Sequence, residues 1–126
     1  MIRVSESILI VARPDRWHDA LRALLTAIPY LKIVGQTDHG LTIMQLVAEH
    51  QPTLVLVDAR VLEEEIGAVL KQLKATQPRI RYIVLADNGQ QQQTAAAVGA
   101  DKVLLRGFPP TQLFAIIEQQ LSQQKT

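Results

Sequence analysis

The sequence predicts an α/β fold in which helices cover both faces of a parallel β-sheet. Three short runs rich in Val, Ile and Leu, at residues 8–12, 54–57 and 83–86, show no polar alternation, as is typical of strands buried on both faces. Between them apolar residues recur at helical spacing. A strict alternation of strand and helix favours a parallel sheet because each crossover returns the chain to the same edge.

The elements follow in the order strand then helix, five times. The first predicted helix carries the apolar stripe Trp17, Ala20, Leu21, Leu24, Leu25 and Ile28, and the third carries Leu62, Ile66, Val69, Leu70 and Leu73. Weaker strands are predicted at 32–36 and 102–105, and the remaining helices at 41–49, 90–98 and 110–122. Asp15 is positioned to cap the first helix, and Pro110 suits a first helical turn.

Length and composition limit the function classes. The 126 residues predict one domain over residues 1–122, with 123–126 as a tail or the start of a linker. A net charge of +1 provides no strong positive electrostatic potential to bind nucleic acid or an anionic membrane, so we expect neither as a partner of this segment. No run is long enough to span a membrane, and the absence of cysteine is compatible with the cytoplasmic location that we expect.

Ligands of parallel α/β sheets gather at the carboxyl ends of the strands. In this sequence those ends carry Ala12 and Arg13, Asp58, Ala86 with Asp87, and Arg106. The three histidines lack metal-ligand spacing and no nucleophile motif is visible, so we expect no enzymatic activity.

Several short motifs occur in a fixed order along the whole chain. They are LRALL at 21–25, PTLVLVD at 52–58, IVL at 83–85, GAD at 99–101 and PP..L at 109–113. In this order the chain resembles the receiver domain of two-component response regulators, particularly the branch with a C-terminal helix-turn-helix domain. The resemblance implies a flavodoxin-like, three-layer α/β/α fold with five helices and five parallel strands in the order 2-1-3-4-5.

The resemblance also implies a role for each position of the site. Asp58 falls at the phosphoacceptor position, but the acidic pair that helps it hold Mg²⁺ in receivers falls on Ala12 and Arg13. Mg²⁺ prefers oxygen ligands in near-octahedral order, so we expect its binding to be lost or weak and no other cofactor to be needed. The hydroxyl position falls on Ala86 and the lysine position on Arg106. The aromatic switch position falls on Val103.

These substitutions predict a degenerate receiver that signals through protein contacts without phosphorylation. We hypothesise that Arg13 and Arg106 flank Asp58 and form an internal ion pair in the space of the missing metal. The expected partner is a protein, with a homodimer through the face of helix 4, strand 5 and helix 5 as one form.

Two alternatives stay open at this stage. In one, Asp58 is phosphorylated at an unusual site. In the other, the domain senses a small anionic ligand. Its ligands would be arginines on or near the rim, the edge formed by the carboxyl ends of the strands, namely Arg13, Arg16, Arg60 and Arg106. The absence of a glycine-rich phosphate loop after the first strand weakens this second alternative.

Overall fold

A computed structural model describes residues 6–123 of the chain. Its five strands form one parallel sheet in the order β2-β1-β3-β4-β5, as the sequence predicted. The strands are β1 Glu6–Val11, β2 Leu31–Thr37, β3 Leu54–Asp58, β4 Arg81–Ala86 and β5 Lys102–Leu105. Five helices connect and follow them: α1 Arg16–Thr26, α2 Gly40–His50, α3 Ile66–Thr76, α4 Gly89–Ala97 and α5 Pro110–Gln123.

The sheet separates two apolar cores. On one face α1 and α5 pack on the strands, with Leu21, Leu25 and Ile117 among the buried side chains. On the other face α2, α3 and α4 do so, with Val47 and Leu70 buried. Successive strand residues enter alternate cores because side chains alternate across a strand, and burial on both faces explains why the strands read as unbroken apolar runs.

The segment between β3 and α3 departs from the prediction. The sequence placed a helix from Leu62 onward, whereas the structure has a short α-helical turn at Ala59–Leu62, a 3₁₀ turn at Glu63–Glu65 and the start of α3 only at Ile66. Glu63 has φ 51° and ψ −120°, a conformation that interrupts a helix and is rare for a residue with a side chain.

The predicted cap of α1 is present, whereas α5 ends one residue later than predicted. Asp15 caps α1, because its carboxylate accepts a hydrogen bond of 2.8 Å from the backbone N–H of His18. Helix α5 continues to Gln123, one residue into the predicted tail, and residues 124–126 lie outside the described residues. None of the helices in residues 6–123 combines the length and apolarity needed to cross a membrane.

Candidate functional site

Asp58 is the last residue of β3, at the carboxyl end of the central strand of the sheet. Its side chain has no solvent exposure, yet it is an aspartate. A buried carboxylate is stable only when charges and hydrogen bonds compensate for lost water, so its partners define the chemistry of this end of the sheet.

The first partner is Arg60, two residues further along the chain. Its backbone N–H donates to Asp58 Oδ1 at 3.0 Å, so Asp58 caps the short turn that follows β3. Its guanidinium donates to Oδ2 twice, from Nε at 3.0 Å and from Nη2 at 2.7 Å. The hydrogen bonds to Asp58 are the main reason why the pKa of Arg60 is raised above its ordinary value.

The second partner is Arg106, which follows β5. The backbone N–H of Arg106 donates to the carbonyl of Ala86 at 2.8 Å, which extends the pairing of β4 with β5 by one residue. From there its Nη2 donates to Asp58 Oδ1 at 3.0 Å. Both oxygens of Asp58 therefore accept two hydrogen bonds each, all from these two arginines.

Two further carboxylates extend this pairing outward. Arg60 Nη2 also donates to Asp15 at 3.0 Å, and Arg106 Nε donates to Asp87. The result is an alternating series, which we call the Asp58 ion-pair chain: Asp15, Arg60, Asp58, Arg106 and Asp87. With three carboxylates and two guanidinium groups it has one net negative charge.

Asp15 is the outer carboxylate on the Arg60 side of the Asp58 ion-pair chain. Its pKa lies below the ordinary value, mainly because the backbone N–H of His18 donates to it, and the Arg60 guanidinium adds to the effect. One side chain therefore caps a helix and holds an arginine. The sequence predicted the cap alone.

Trp17 supports both arginines from α1. The guanidinium carbon of Arg106 lies 4.4 Å from the centroid of the Trp17 ring, and that of Arg60 lies 5.7 Å away. Both distances are within the range of cation–π interactions. Phe108 meets the same ring edge-on, with centroids 6.4 Å apart. The sequence indicated a core or half-buried residue here; Trp17 is half-buried, and it also positions the two cations.

The predicted pairing of Arg13 with Asp58 is wrong. Arg13 Nη2 donates instead to the carbonyl of Arg60 at 3.0 Å and to Glu63 at 3.1 Å, and half of its side chain is exposed. Arg60 occupies the position beside Asp58 because its own backbone starts the turn that Asp58 caps. The predicted pairing of Asp58 with Arg106 is confirmed.

The four arginines that the sequence grouped as an anion site do not act together. Arg60 and Arg106 are paired with Asp58, and Arg13 is paired with Glu63. Arg16 is exposed at the start of α1 and is not a member of the Asp58 ion-pair chain. Most of the positive charge at this edge is thus already neutralised by carboxylates of the chain itself.

The residues present do not fit Mg²⁺. Ala12 is buried and offers no side-chain oxygen, while both oxygens of Asp58 face guanidinium groups. Within residues 6–123 no three side chains of the His, Cys, Asp and Glu types are grouped as a metal ion would require.

The two remaining positions that the resemblance assigns to the site, Ala86 and Val103, carry apolar side chains. Ala86 ends β4 with no exposure, and Val103 lies half-buried in β5 opposite Val84. A methyl group and an isopropyl group at these positions provide neither a hydroxyl nor an aromatic ring.

Sequence reasoning placed Arg60 and Asp87 at or near this edge but predicted the pairing of neither, and it missed Trp17 as a support of the two arginines. The signal for Arg60 was its position two residues after a strand-ending aspartate, where a backbone N–H commonly meets the carboxylate. No sequence signal marked Asp87 as an ion-pair partner of Arg106, because the two residues come from different loops.

Comparison with known proteins gives structural matches only. No protein-family model and no curated protein matches the sequence. The structure is similar to a two-component response regulator of the LuxR family from Aurantimonas sp. SI85-9A1, with TM-score 0.84, 16% identity, and 94% of this chain and 86% of that chain covered. For a LuxR-family DNA-binding response regulator from Staphylococcus aureus the values are 0.81, 20%, 91% and 98%.

A third similar structure is the signal receiver domain of a DNA-binding response regulator from Colwellia psychrerythraea 34H. Its TM-score is 0.81 at 21% identity, and the alignment covers 94% of this chain and 99% of that domain. The match extends over almost the whole domain, with the strand order already described. The chain therefore has the fold of response-regulator receiver domains.

Proposed function

We propose that this chain is a receiver-type signalling domain that acts through protein contacts and does not depend on phosphorylation of Asp58. The observation that carries the proposal is the state of the Asp58 carboxylate, which is wholly buried and saturated by four hydrogen bonds from two arginines. A cytoplasmic location belongs to the same proposal.

Phosphoryl transfer requires a free carboxylate oxygen in line with the donor and a cation to neutralise the developing charge. Here an incoming phosphoryl group would have to displace Arg60 or Arg106 from Asp58, and each of them is also tied to an outer aspartate. The two acidic ligands that would recruit Mg²⁺ are replaced by Ala12 and Arg13. We therefore expect neither an accessible oxygen on Asp58 nor a bound Mg²⁺.

The same contacts supply a permanent positive charge beside Asp58. The Arg60 and Arg106 guanidinium groups flank the Asp58 carboxylate, and by the resemblance Arg106 falls at the lysine position of receivers. The rim is thereby fixed in one electrostatic state, which supports constitutive binding to a partner.

The test is treatment of the folded domain with a small phosphodonor, and separately with beryllofluoride, in the presence of Mg²⁺. We expect no stoichiometric adduct by intact-mass spectrometry and no Mg²⁺-dependent change in the ¹H–¹⁵N NMR spectrum. An ordinary receiver treated in parallel shows that the reagents work.

The contrary outcome is an adduct that is absent in Asp58→Asn and retained in Asp87→Asn. Asp87 is a matched control because it is a second aspartate of the same rim and contacts the same Arg106. That result would establish the phosphorylatable alternative.

For the partner, we propose a second copy that pairs through α4, β5 and α5. Strand β5 is an edge of the sheet, and Leu105 on it is a large apolar side chain with 42% exposure. Four successive glutamines, Gln90–Gln93, give the first turn of α4 uncharged side chains that can form hydrogen bonds.

Sedimentation velocity across a concentration series tests this interface. We expect reversible dimerisation that Leu105→Asp weakens at least about tenfold, because a charge would be buried in the contact. A wild-type chain that remains monomeric at the highest concentration, or dimerisation unchanged by Leu105→Asp, would contradict it. A substitution near the opposite edge of the sheet, Glu49→Gln on α2, is the control.

A further inference from the structure

A groove beside the Asp58 ion-pair chain has the features of a small-molecule site. It has a volume of about 340 Å³, within the size range of small-ligand pockets, and it lies between α1 and the start of α5. Its walls are mainly apolar and aromatic, with Trp17, Leu21, Leu24, Phe108 and Leu113 among the lining residues.

The groove has aromatic walls held at a fixed angle. Trp17 and Phe108 meet at an interplanar angle of 83°, which places two aromatic surfaces around the opening. Gly107 makes this arrangement possible, because its φ of 99° turns the chain between Arg106 and Phe108 in a way that residues with a Cβ rarely adopt.

Arg106 is the one charged residue among those described that line the groove. Its Nε and Nη2 are used by Asp87 and Asp58, whereas its Nη1 makes no hydrogen bond to any of the residues 6–123. None of the aspartates of the Asp58 ion-pair chain lines the groove. The groove is therefore an apolar space with one guanidinium group among its lining residues, and Nη1 of that group keeps two N–H donors that residues 6–123 do not use.

We propose that this groove binds a small aromatic carboxylic acid. The ring would pack against Trp17, Leu24 and Phe108, and the carboxylate would accept from Arg106 Nη1. The free Nη1 of Arg106 can only donate, so it selects a molecule that carries an acceptor, and a carboxylate is the strongest acceptor for a guanidinium group. Because the same guanidinium group binds Asp58, a ligand bound to Arg106 would alter the ion pair between Arg106 and Asp58.

This site is distinct from the four-arginine rim that the sequence suggested. It uses one of those residues, Arg106, and adds an apolar surface from α1 and α5 that no motif indicated. It is also independent of the proposed function, because binding here requires neither a free Asp58 nor Mg²⁺.

The test is an NMR titration of the domain with 2-naphthoate and, as the neutral counterpart, 2-naphthalenemethanol. Trp17 is the single tryptophan of the chain, so its indole N–H signal reports on the groove without ambiguity. We expect saturable shifts of that signal with 2-naphthoate, and affinity for the alcohol about tenfold lower, as suits loss of a charged hydrogen bond. In Arg106→Gln the two compounds should differ by no more than roughly twofold.

A matched pair of variants locates the site. Leu24→Gln introduces an amide in the groove wall, and Leu46→Gln makes the same change at a half-buried leucine packed against the other core. We expect the first to weaken 2-naphthoate binding about tenfold and the second to leave it unchanged. Intermolecular nuclear Overhauser effects from 2-naphthoate to Trp17 and Phe108 in the wild-type chain give the same answer without any variant.

The proposal is overturned if the Trp17 signal shows no saturable change, if acid and alcohol bind equally to the wild-type chain, or if Leu24→Gln and Leu46→Gln behave alike. A failure of this kind leaves the phosphodonor experiment unaffected, and an adduct at Asp58 in that experiment leaves this titration unaffected.

Discussion

Two aspartates at opposite ends of the sheet bind their cations in different ways. Asp58 ends β3 and is held by Arg60 and Arg106, whereas Asp101 immediately precedes β5 and lies at the amino end of the strands. Asp101 accepts a hydrogen bond of 2.8 Å from the backbone N–H of Tyr82 and ion pairs from Lys74 and Arg81.

Each carboxylate accepts one backbone N–H, and the difference lies in their cations and in their exposure. The cations of Asp101 lie at 3.3 and 3.4 Å and its side chain keeps 13% exposure, so water shares in its stabilisation. The guanidinium contacts of Asp58 measure 2.7 to 3.0 Å and no water reaches its side chain. Asp101 thus secures the start of a strand, while the stability of Asp58 depends on two particular side chains.

The largest expected effect comes from removing both cations of Asp58. In Arg60→Gln with Arg106→Gln, a wholly buried carboxylate loses its charge partners. We expect the free energy of unfolding, measured by urea denaturation, to fall by about 3–5 kcal/mol. Adding Asp58→Asn should recover most of this loss, because the unpaired charge is then gone. A triple variant no more stable than the double would show that Asp58 is not the source of the cost.

A smaller loss is expected at the opposite end of the sheet. Asp101→Ala leaves the N–H of Tyr82 without its side-chain acceptor and should lower the free energy of unfolding by about 1–3 kcal/mol. Asp101→Asn keeps an oxygen for that N–H and loses only partly exposed ion pairs, so its loss should be about 1 kcal/mol or less. Equal losses in the two variants would mean that the ion pairs, and not the backbone contact, hold Asp101.

The smallest effect concerns Asp15 and pH. Its folded pKa lies below the unfolded value of 3.8, so the unfolded chain binds more protons between these two values. The stability that Asp15 contributes is therefore present above about pH 3.8 and is lost as pH falls through the lower folded pKa.

Asp15→Asn removes this titration but keeps a side-chain oxygen for capping α1. Between pH 6 and pH 3 we expect the free energy of unfolding, measured by thermal and urea denaturation, to fall in both chains. The fall should be smaller in the variant, by less than about 1 kcal/mol, because the Asp15 side chain is 37% exposed. Identical pH profiles for the two chains would show that the charge of Asp15 contributes no stability.

The residue types were sufficient for a parallel sheet and for the place of Asp58, because buried parallel strands and their carboxyl ends leave a direct pattern in the sequence. The strand order came from the resemblance to receiver domains and agrees with the structure. The sequence did not separate Arg13 from Arg60 as the partner. Both lie in loops beside the same edge, and the choice depends on the turn after β3, where Asp58 caps Arg60 and Glu63 adopts a positive φ. Such a turn depends on tertiary contacts that span about fifty residues, including the one from Arg13 to Glu63.

The Asp58 ion-pair chain also has a consequence for folding kinetics. Its contacts join α1 to the segment after β3, and that segment to the loop after β5, across sequence separations of 45 and 48 residues. We expect such contacts to form only after the strands have come into register, and so mostly after the main barrier to folding. We therefore expect the arginine pairs to act mainly as a brake on unfolding, with little influence on how fast the chain folds.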